Sequence, residues 1–347
     1  MQAGPASVPD DTEWIEAITM RSPDTATVVE YDQPGDAEVL SLRSSPLKQP
    51  AAGEVTVKVI TSSINHIEAF IRSGQEAAWQ NEPFPRSSGS DFAGIVVASS
   101  DPSFSRGTEV VGHVRSGAHA TYVTVPAGAL VKKPRTLEWE MAGGLYLSGV
   151  TALDILDELR IDESDTVVIS AAAGAVGSIE SQIARFRGAR VIGTCGDRNF
   201  DYLRQIGIAP VKYGPGIADR IRTAAKGQAV TAFIDNFGQD GQELATELGV
   251  PASKYRSSAD RRDTELTLLA ADADSVAHGT KQLTTIVSLA ASHAFSLLVS
   301  GFYPLDDIVL AYADLQKLHS RGKIVLGTDP VSTYRSVKAR DVHEGLA

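Results

Sequence analysis

The sequence predicts an α/β protein in two parts, a β-rich region and a doubly wound parallel sheet. Three observations predict it. Apolar residues alternate with period two in short runs between Thr25 and Pro126, apolar strands alternate with helical patterns from about Leu137, and strand texture returns after Phe295. A length of 347 residues supports about two domains, each able to bury its own core.

In chain order, residues 1–20 (MQAGPASVPDDTEWIEAITM) lack this patterning. They read as an extension, an alternative start or a docking arm, and they carry no apolar signal core. From Thr25 the runs TATVVEY, EVTVKVITSSI, FAGIVVASS, TEVVGHV and ATYVTVP are strands punctuated by Gly, Pro and Ser, as in a Greek-key barrel or a partly open sandwich. EWEMAGGLYLSGVTALDILDELRI then has helical spacing. Beyond it, TVVIS, SIESQIARFRG, RVIGT, NFDYLRQIGI and AFIDNF alternate strand and helix, which indicates βαβ units covered on both faces. The tail FSLLVSGFYPL, DDIVLAYADLQKLHS and KIVLGT suggests a segment that folds back onto the first part. SSADRRD at 257–263 reads as a solvated loop within a polar, weakly periodic stretch from Pro251 to about Ala273.

A net charge of −11 and a pI near 5.1 argue against general affinity for nucleic acid or anionic membranes, though not against a local basic pocket for one small anion. No apolar run approaches the roughly 18 residues needed to span a bilayer, so the expected compartment is the cytoplasm. Cys195 is the only cysteine. An intramolecular disulfide and a structural zinc site of four cysteines, or of two cysteines and two histidines, are therefore excluded.

The most informative motif follows Thr166-Val-Val-Ile-Ser170, where Ala-Ala-Ala-Gly-Ala-Val-Gly-Ser leads into a helix starting near Val176. Against the dinucleotide pattern G-x-G-x-x-G its three positions are Ala172, Gly174 and Gly177. Gly174 admits a pyrophosphate close to the backbone and Gly177 lets helix pack on strand, with the helix N-terminus facing the anion. The alternative is a tight strand–helix turn with no ligand. The next strand ends Gly193-Thr194-Cys195-Gly196 without a carboxylate at its tip, and Arg198 adjoins Asp197. A guanidinium there suits a 2′-phosphate, so NADPH is expected over NADH. Lys212 and Tyr213 either border that pocket or form an exposed turn. Cys195 reads as a packed thiol beside the cofactor rather than a nucleophile.

Several blocks in order then resemble one family over nearly the whole chain from about Thr25 to Gly327. They are SSINHIEAFIRSGQ (62–75), SGSDFAGIVV (88–97), GAHATYVTVPAGALVKKP (117–134), AGGLYLSGVTALDIL (142–156), VVISAAAGAVGS (167–178), GTCGDRNFDYLRQIG (193–207) and YPLDDIVLAYADLQKLHSRGKIVL (303–326). The chain resembles the medium-chain dehydrogenase/reductases and, within them, the zinc-independent NADPH quinone oxidoreductases. The resemblance implies a GroES-like catalytic domain over 21–145 and a Rossmann domain over 146–291. It also implies a segment 292–347 returning to the catalytic domain, and an active site in the cleft between the domains.

Zinc-dependent members carry a Cys near the position of Asn65 and Gly-His-Glu where this chain has Gly89-Ser90-Asp91, so no metal is expected. His66, His113 and His119 then read as structural. Hydride transfer from NADPH to a quinone or an α,β-unsaturated carbonyl is the chemistry that remains. The resemblance assigns orientation of the acceptor to Asn65, and gives Arg72 the choice between stabilising the active-site loop or oxyanion and being a solvated charge. Relatives often have Asp-x-Tyr where this chain has Glu68-Ala69-Phe70, which leaves Tyr146 or bulk water as proton donor. By the same analogy Thr151, Ala173, Gly174, Ala175, Val176, Gly177, Thr194, Cys195, Arg198, Tyr213, Asn236 and Lys323 are expected at the cofactor, with Arg321 beside Lys323. A homodimer through Rossmann edge strands near 284–302 is also expected. The rival reading is a nucleotide-binding sensor or scaffold whose enzymatic site has decayed.

Overall fold

The computed structural model describes residues 23–76, 79, 81–239, 241–317 and 321–328; the extension expected at residues 1–20 lies outside them. The first part comprises β1 (Thr25–Tyr31), β2 (Ser41–Pro46), β3 (Glu54–Ser63), α1 (His66–Arg72), β4 (Arg86–Ser87), β5 (Asp91–Ser99), β6 (Glu109–His113), β7 (Tyr122–Pro126) and β8 (Leu130–Lys132). β3 is its hub, pairing antiparallel with both β5 and β7. A Cβ on Gly94 of β5 would stand 2.1 Å from the Lys58 carbonyl oxygen, so only glycine fits where these two strands approach. Register shifts in the β3–β5 pairing bend the sheet, as bulges do, and Val55, Val57, Phe92 and Val110 fill its inner face.

The second part begins with α2 (Trp139–Ala142) and α3 (Tyr146–Glu158). It continues through β9 (Thr166–Ile169), α4 (Ala175–Phe186), β10 (Arg190–Cys195), α5 (Phe200–Gln205), β11 (Ala209–Lys212), α6 (Ile217–Ala225), β12 (Ala232–Ile234), α7 (Gly241–Glu247) and β13 (Tyr255–Arg256). The sheet is parallel, in the order β11-β10-β9-β12-β13. Strand order reverses between β9 and β12, which opens a crevice at their carboxyl ends. β9, Thr-Val-Val-Ile, is buried along its whole length, as a strand covered on both faces must be.

Next come α8 (Ser258–Leu268), α9 (Ala273–Ala291), β14 (Val299–Pro304), α10 (Ile308–Gln316) and β15 (Lys323–Gly327). β15 lies between β14 and β3, completing a seven-stranded sheet with strands from the start of the chain. A single apolar core joins the two parts: Ile67 and Ile71 of α1 pack in the same cluster as Leu147, Val150 and Leu153 of α3 and Leu283 and Ile286 of α9. Gly149 permits this, because a Cβ there would meet Ile286 at 2.8 Å.

Two expectations need correction. The SSADRRD run is the first two turns of α8, not a loop. Ser257 accepts the Asp260 N–H at 3.2 Å and Asp260 accepts the Ser257 N–H at 2.8 Å, a reciprocal cap spelled by S-x-x-D. The 284–302 region does not supply an edge strand to the parallel sheet: it is helical to Ala291, and β14 joins the other sheet. Among the described residues no helix is long and apolar enough to cross a membrane.

Candidate active site

A cleft of about 420 Å³ runs along the carboxyl ends of the parallel strands to the first residues of α1. At one end stands the turn after β9. Ala173, Gly174, Ala175, Val176 and Gly177 line the cleft, and Gly174, the residue preceding α4, offers no side chain to cap the helix. The N–H groups of the first turn are thus left for an anion. A Cβ on Gly177 would lie 2.6 Å from the Ala171 oxygen, so helix and turn could not approach as they do. The residue in left-handed conformation is Ala171, at φ 47°, one position before the Ala172 that the sequence pattern singles out.

Thr194, Cys195, Asn199 and Tyr213 line the same end. Burial pushes the Cys195 thiol up to about 11, helped by Asp197. The tip of β10 is cationic. Lys212 pairs with Asp197, while Arg321 donates to the Asn199 Oδ1 at 2.8 Å and to the Arg198 carbonyl at 2.7 Å. Arg198 itself is exposed and is not among the cleft-lining residues. Tyr213 and Phe237 stand with ring centroids 6.5 Å apart and planes 18° from parallel, both well exposed at the cleft.

Asp235 shapes the turn after β12 by accepting from the Ser170 hydroxyl and from the N–H groups of Phe237 and Gly238 at 2.8 to 3.0 Å. Asn236 lines the cleft and donates to Glu180, and its own Oδ1 has no partner. Glu180 is fully buried on α4, and burial raises its pKa to about 7 against the hydrogen bond from Asn236. The orphaned Asn236 oxygen, the uncapped helix and the glycine turn fit a pyridine nucleotide. Gly174 to Gly177 would hold its pyrophosphate.

At the other end the floor is a buried polar network. Asn65 precedes α1, where its backbone N–H donates to Glu68 at 2.9 Å and its side-chain amide donates to Glu68 and Asp91. Glu68 also accepts from Ser90 and Tyr312, and Asp91 from Ser63, Ser90 and the Leu147 N–H. Lys323 reaches in from β15 and donates to the Asn65 Oδ1 and, at 2.9 Å, to the Ser148 hydroxyl, with Asp91 Oδ2 at 4.0 Å. Burial pulls Lys323 down and Asp91 up, each toward its neutral form, and their mutual attraction opposes it. His66 opens onto the cleft, yet the surrounding protein, Arg261 and Lys323 hold its pKa at about 4, so it is neutral at pH 7.

Besides Arg198, three expected residues do not face the cleft. Arg72 is buried over the Tyr312 ring, 4.3 Å from its centroid. Tyr146 stacks on His113 and donates its hydroxyl to the Leu268 carbonyl at 2.9 Å, and burial raises its pKa. Thr151 is fully buried within α3 with its hydroxyl unpartnered. Lys323, expected at the cofactor phosphate, instead contacts Asn65 and Ser148. His113 and His119 are buried and hydrogen-bonded, as structural histidines are. Sequence reasoning missed Ser148, Arg261 and Glu265, which also line the cleft; the Ser257–Asp260 cap was the signal that would have put the last two on a helix. Among the described residues no cluster of His, Cys, Asp or Glu could hold a metal ion. An ammonium beside Asn65 and Asp91 does not make a zinc donor set.

Residues 51–135 match the alcohol dehydrogenase GroES-like domain, and residues 211–326 match the domain described as zinc-binding dehydrogenase. A probable quinone oxidoreductase of Schizosaccharomyces pombe is 31% identical over 48% of this chain and 51% of its own length. The chloroplast envelope quinone oxidoreductase homolog of Arabidopsis thaliana is 25% identical over 84% of this chain and 95% of its own. A mycobacterial protein solved in complex with NADPH superposes with a TM-score of 0.72 at 25% identity, covering 87% of this chain and 99% of that one. With its two matching domains and its cleft at their junction, the chain belongs to the medium-chain dehydrogenase/reductase superfamily and is similar to the quinone oxidoreductases within it.

Proposed function

We propose that the protein is an NADPH-dependent reductase that transfers hydride, without zinc, to a quinone or another α,β-unsaturated carbonyl. One observation carries this reading: a single cleft joins the anion-ready turn at Gly174 to a polar floor where Asn65 and Ser148 hold the ammonium of Lys323. The nicotinamide supplies the hydride when bound. The chain's own residues hold its pyrophosphate, orient the acceptor and place positive charge where the acceptor oxygen becomes negative.

The phosphate form of the cofactor is favoured by the tip of β10. The nearest carboxylate, Asp197, is engaged by Lys212, and Arg198 and Arg321 stand beside it as partners for a 2′-phosphate. The purified protein is expected to oxidise NADPH faster than NADH when given a quinone or an enone. Tight NADPH binding with no turnover across a broad acceptor panel would sink this reading in favour of a nucleotide-binding sensor.

A further inference from the structure

We infer that Lys323 is the acid of this site: its ammonium donates a hydrogen bond, and then a proton, to the acceptor's carbonyl oxygen as that oxygen gains charge. This rests on the proposed reduction of a conjugated carbonyl.

An ammonium has three N–H donors. Two are taken by Asn65 and Ser148. Asp91, at 4.0 Å, balances the charge but lies beyond hydrogen-bond reach. The third donor has no acceptor among the described residues, and Lys323 lines the cleft. The two filled bonds hold the group in place so that the third can be offered.

Four other groups on or near the cleft are less suited. His66 is neutral at pH 7, and the N–H of a neutral imidazole is a far weaker acid than an ammonium. The Tyr146 hydroxyl is committed to the Leu268 carbonyl. Cys195 sits beside the cofactor turn with its thiol held at about 11, and Glu265 is paired with Arg261 at 3.3 Å. Burial makes Lys323 a readier acid than a lysine in water, against the pull of Asp91, Glu68 and Glu265.

The step balances for an enone. Hydride brings two electrons to the β-carbon, the carbon–carbon π pair shifts to form the Cα–carbonyl double bond, and the carbonyl π pair moves onto oxygen. One N–H bond of Lys323 breaks, leaving its electrons on nitrogen, and an O–H bond forms. The neutral amine regains its proton from water, and the enol becomes the ketone in solution.

The test is Lys323→Met, with Lys323→Gln as a second neutral variant that keeps hydrogen bonds to Asn65 and Ser148 if the first does not fold. NADPH Kd, read by nucleotide fluorescence, is expected to stay within threefold, while kcat with an enone falls on the order of 100-fold or more. A readout free of turnover is 4-nitrophenol, whose phenolate mimics the charged oxygen. Bound to the wild-type NADP complex its pKa should fall, and in both variants that shift should vanish.

An unchanged kcat would overturn the inference. So would a tenfold loss of NADPH affinity with kcat kept at saturation, which would make Lys323 a cofactor-phosphate ligand. If the wild type reduced no acceptor, the proposed function would fail by itself, and the 4-nitrophenol shift would still decide the role of Lys323.

Discussion

The guanidinium carbon of Arg262 lies 4.6 Å from the centroid of the Phe70 ring. Through this contact α8, which follows the last strand of the parallel sheet, rests on α1, which carries the acceptor end of the cleft. At the C-terminal end of α8, Leu268 accepts from Tyr146 of α3, and Leu269, just past the helix, accepts from Arg115. Arg262→Ala is expected to cost about 0.5–1 kcal/mol of stability and to raise the acceptor KM while leaving NADPH Kd unchanged. Denaturant titration and steady-state kinetics measure the two effects.

The turn at Ala171–Gly177 gives a paired prediction. Gly177→Ala forces a Cβ against backbone atoms of Ala171 and Ala172, so helix and turn must separate. Stability is expected to fall by about 1–3 kcal/mol, with NADPH affinity down at least tenfold. Ala171→Gly relieves a left-handed alanine and should be neutral to slightly stabilising, with NADPH affinity kept. Calorimetry and nucleotide fluorescence distinguish the two variants.

Cys195 reports cofactor position without any turnover. It is buried, lines the cleft and has its pKa held at about 11, so very little of it is thiolate at pH 7.5. Alkylation by iodoacetamide, followed by mass spectrometry, should be far slower than for a free thiol and slower again with NADPH present. Equal rates with and without NADPH would place the nucleotide elsewhere.

Glu180 predicts a pH dependence with a defined sign. Its folded pKa, about 7, lies above the ordinary carboxylate value of 4.5, so the folded state holds a proton that the unfolded state has released. Stability from this group is complete below about pH 4.5 and is lost as pH rises toward 7. Glu180→Gln should therefore stabilise the protein above pH 7, by up to about 3 kcal/mol, and make little difference near pH 4. Thermal melts of both proteins across pH 4–8 check the crossover.

The strands were legible because their apolar periodicity survives in the fold: EVTVKVITSSI is β3 and TVVIS contains β9. The cofactor turn was legible for the same local reason, since strand, glycines and helix are contiguous. What pattern reading misplaced depends on distant packing. Tyr146 resembles a cleft residue by its position at the start of α3, but its hydroxyl is claimed by Leu268, more than a hundred residues away. Lys323 sits next to Gly322, which hydrogen-bonds to Ala173 in the cofactor turn at 2.8 Å, so a phosphate contact was the natural local reading. Strand alternation sends its side chain to Asn65 instead. The polarity of α8 masked a helix that turns Arg261 and Glu265 to the cleft while Asp260, Arg262 and Asp263 stay exposed.

The insertion of β15 between β14 and β3 has a consequence for how the protein is made. The parallel sheet from β9 to β13 is contiguous in sequence, so it can pair while later residues are still being synthesised. The seven-stranded sheet must wait, because Gly327 pairs with Thr61 and such distant pairing is slow to form. The nucleotide-binding sheet is therefore expected to mature first, and the ammonium of Lys323 can meet Asn65 only once β15 is laid in. Ribosome-bound chains halted before Lys323 would hold the nucleotide turn but neither the acid nor the strand that closes the catalytic sheet around it.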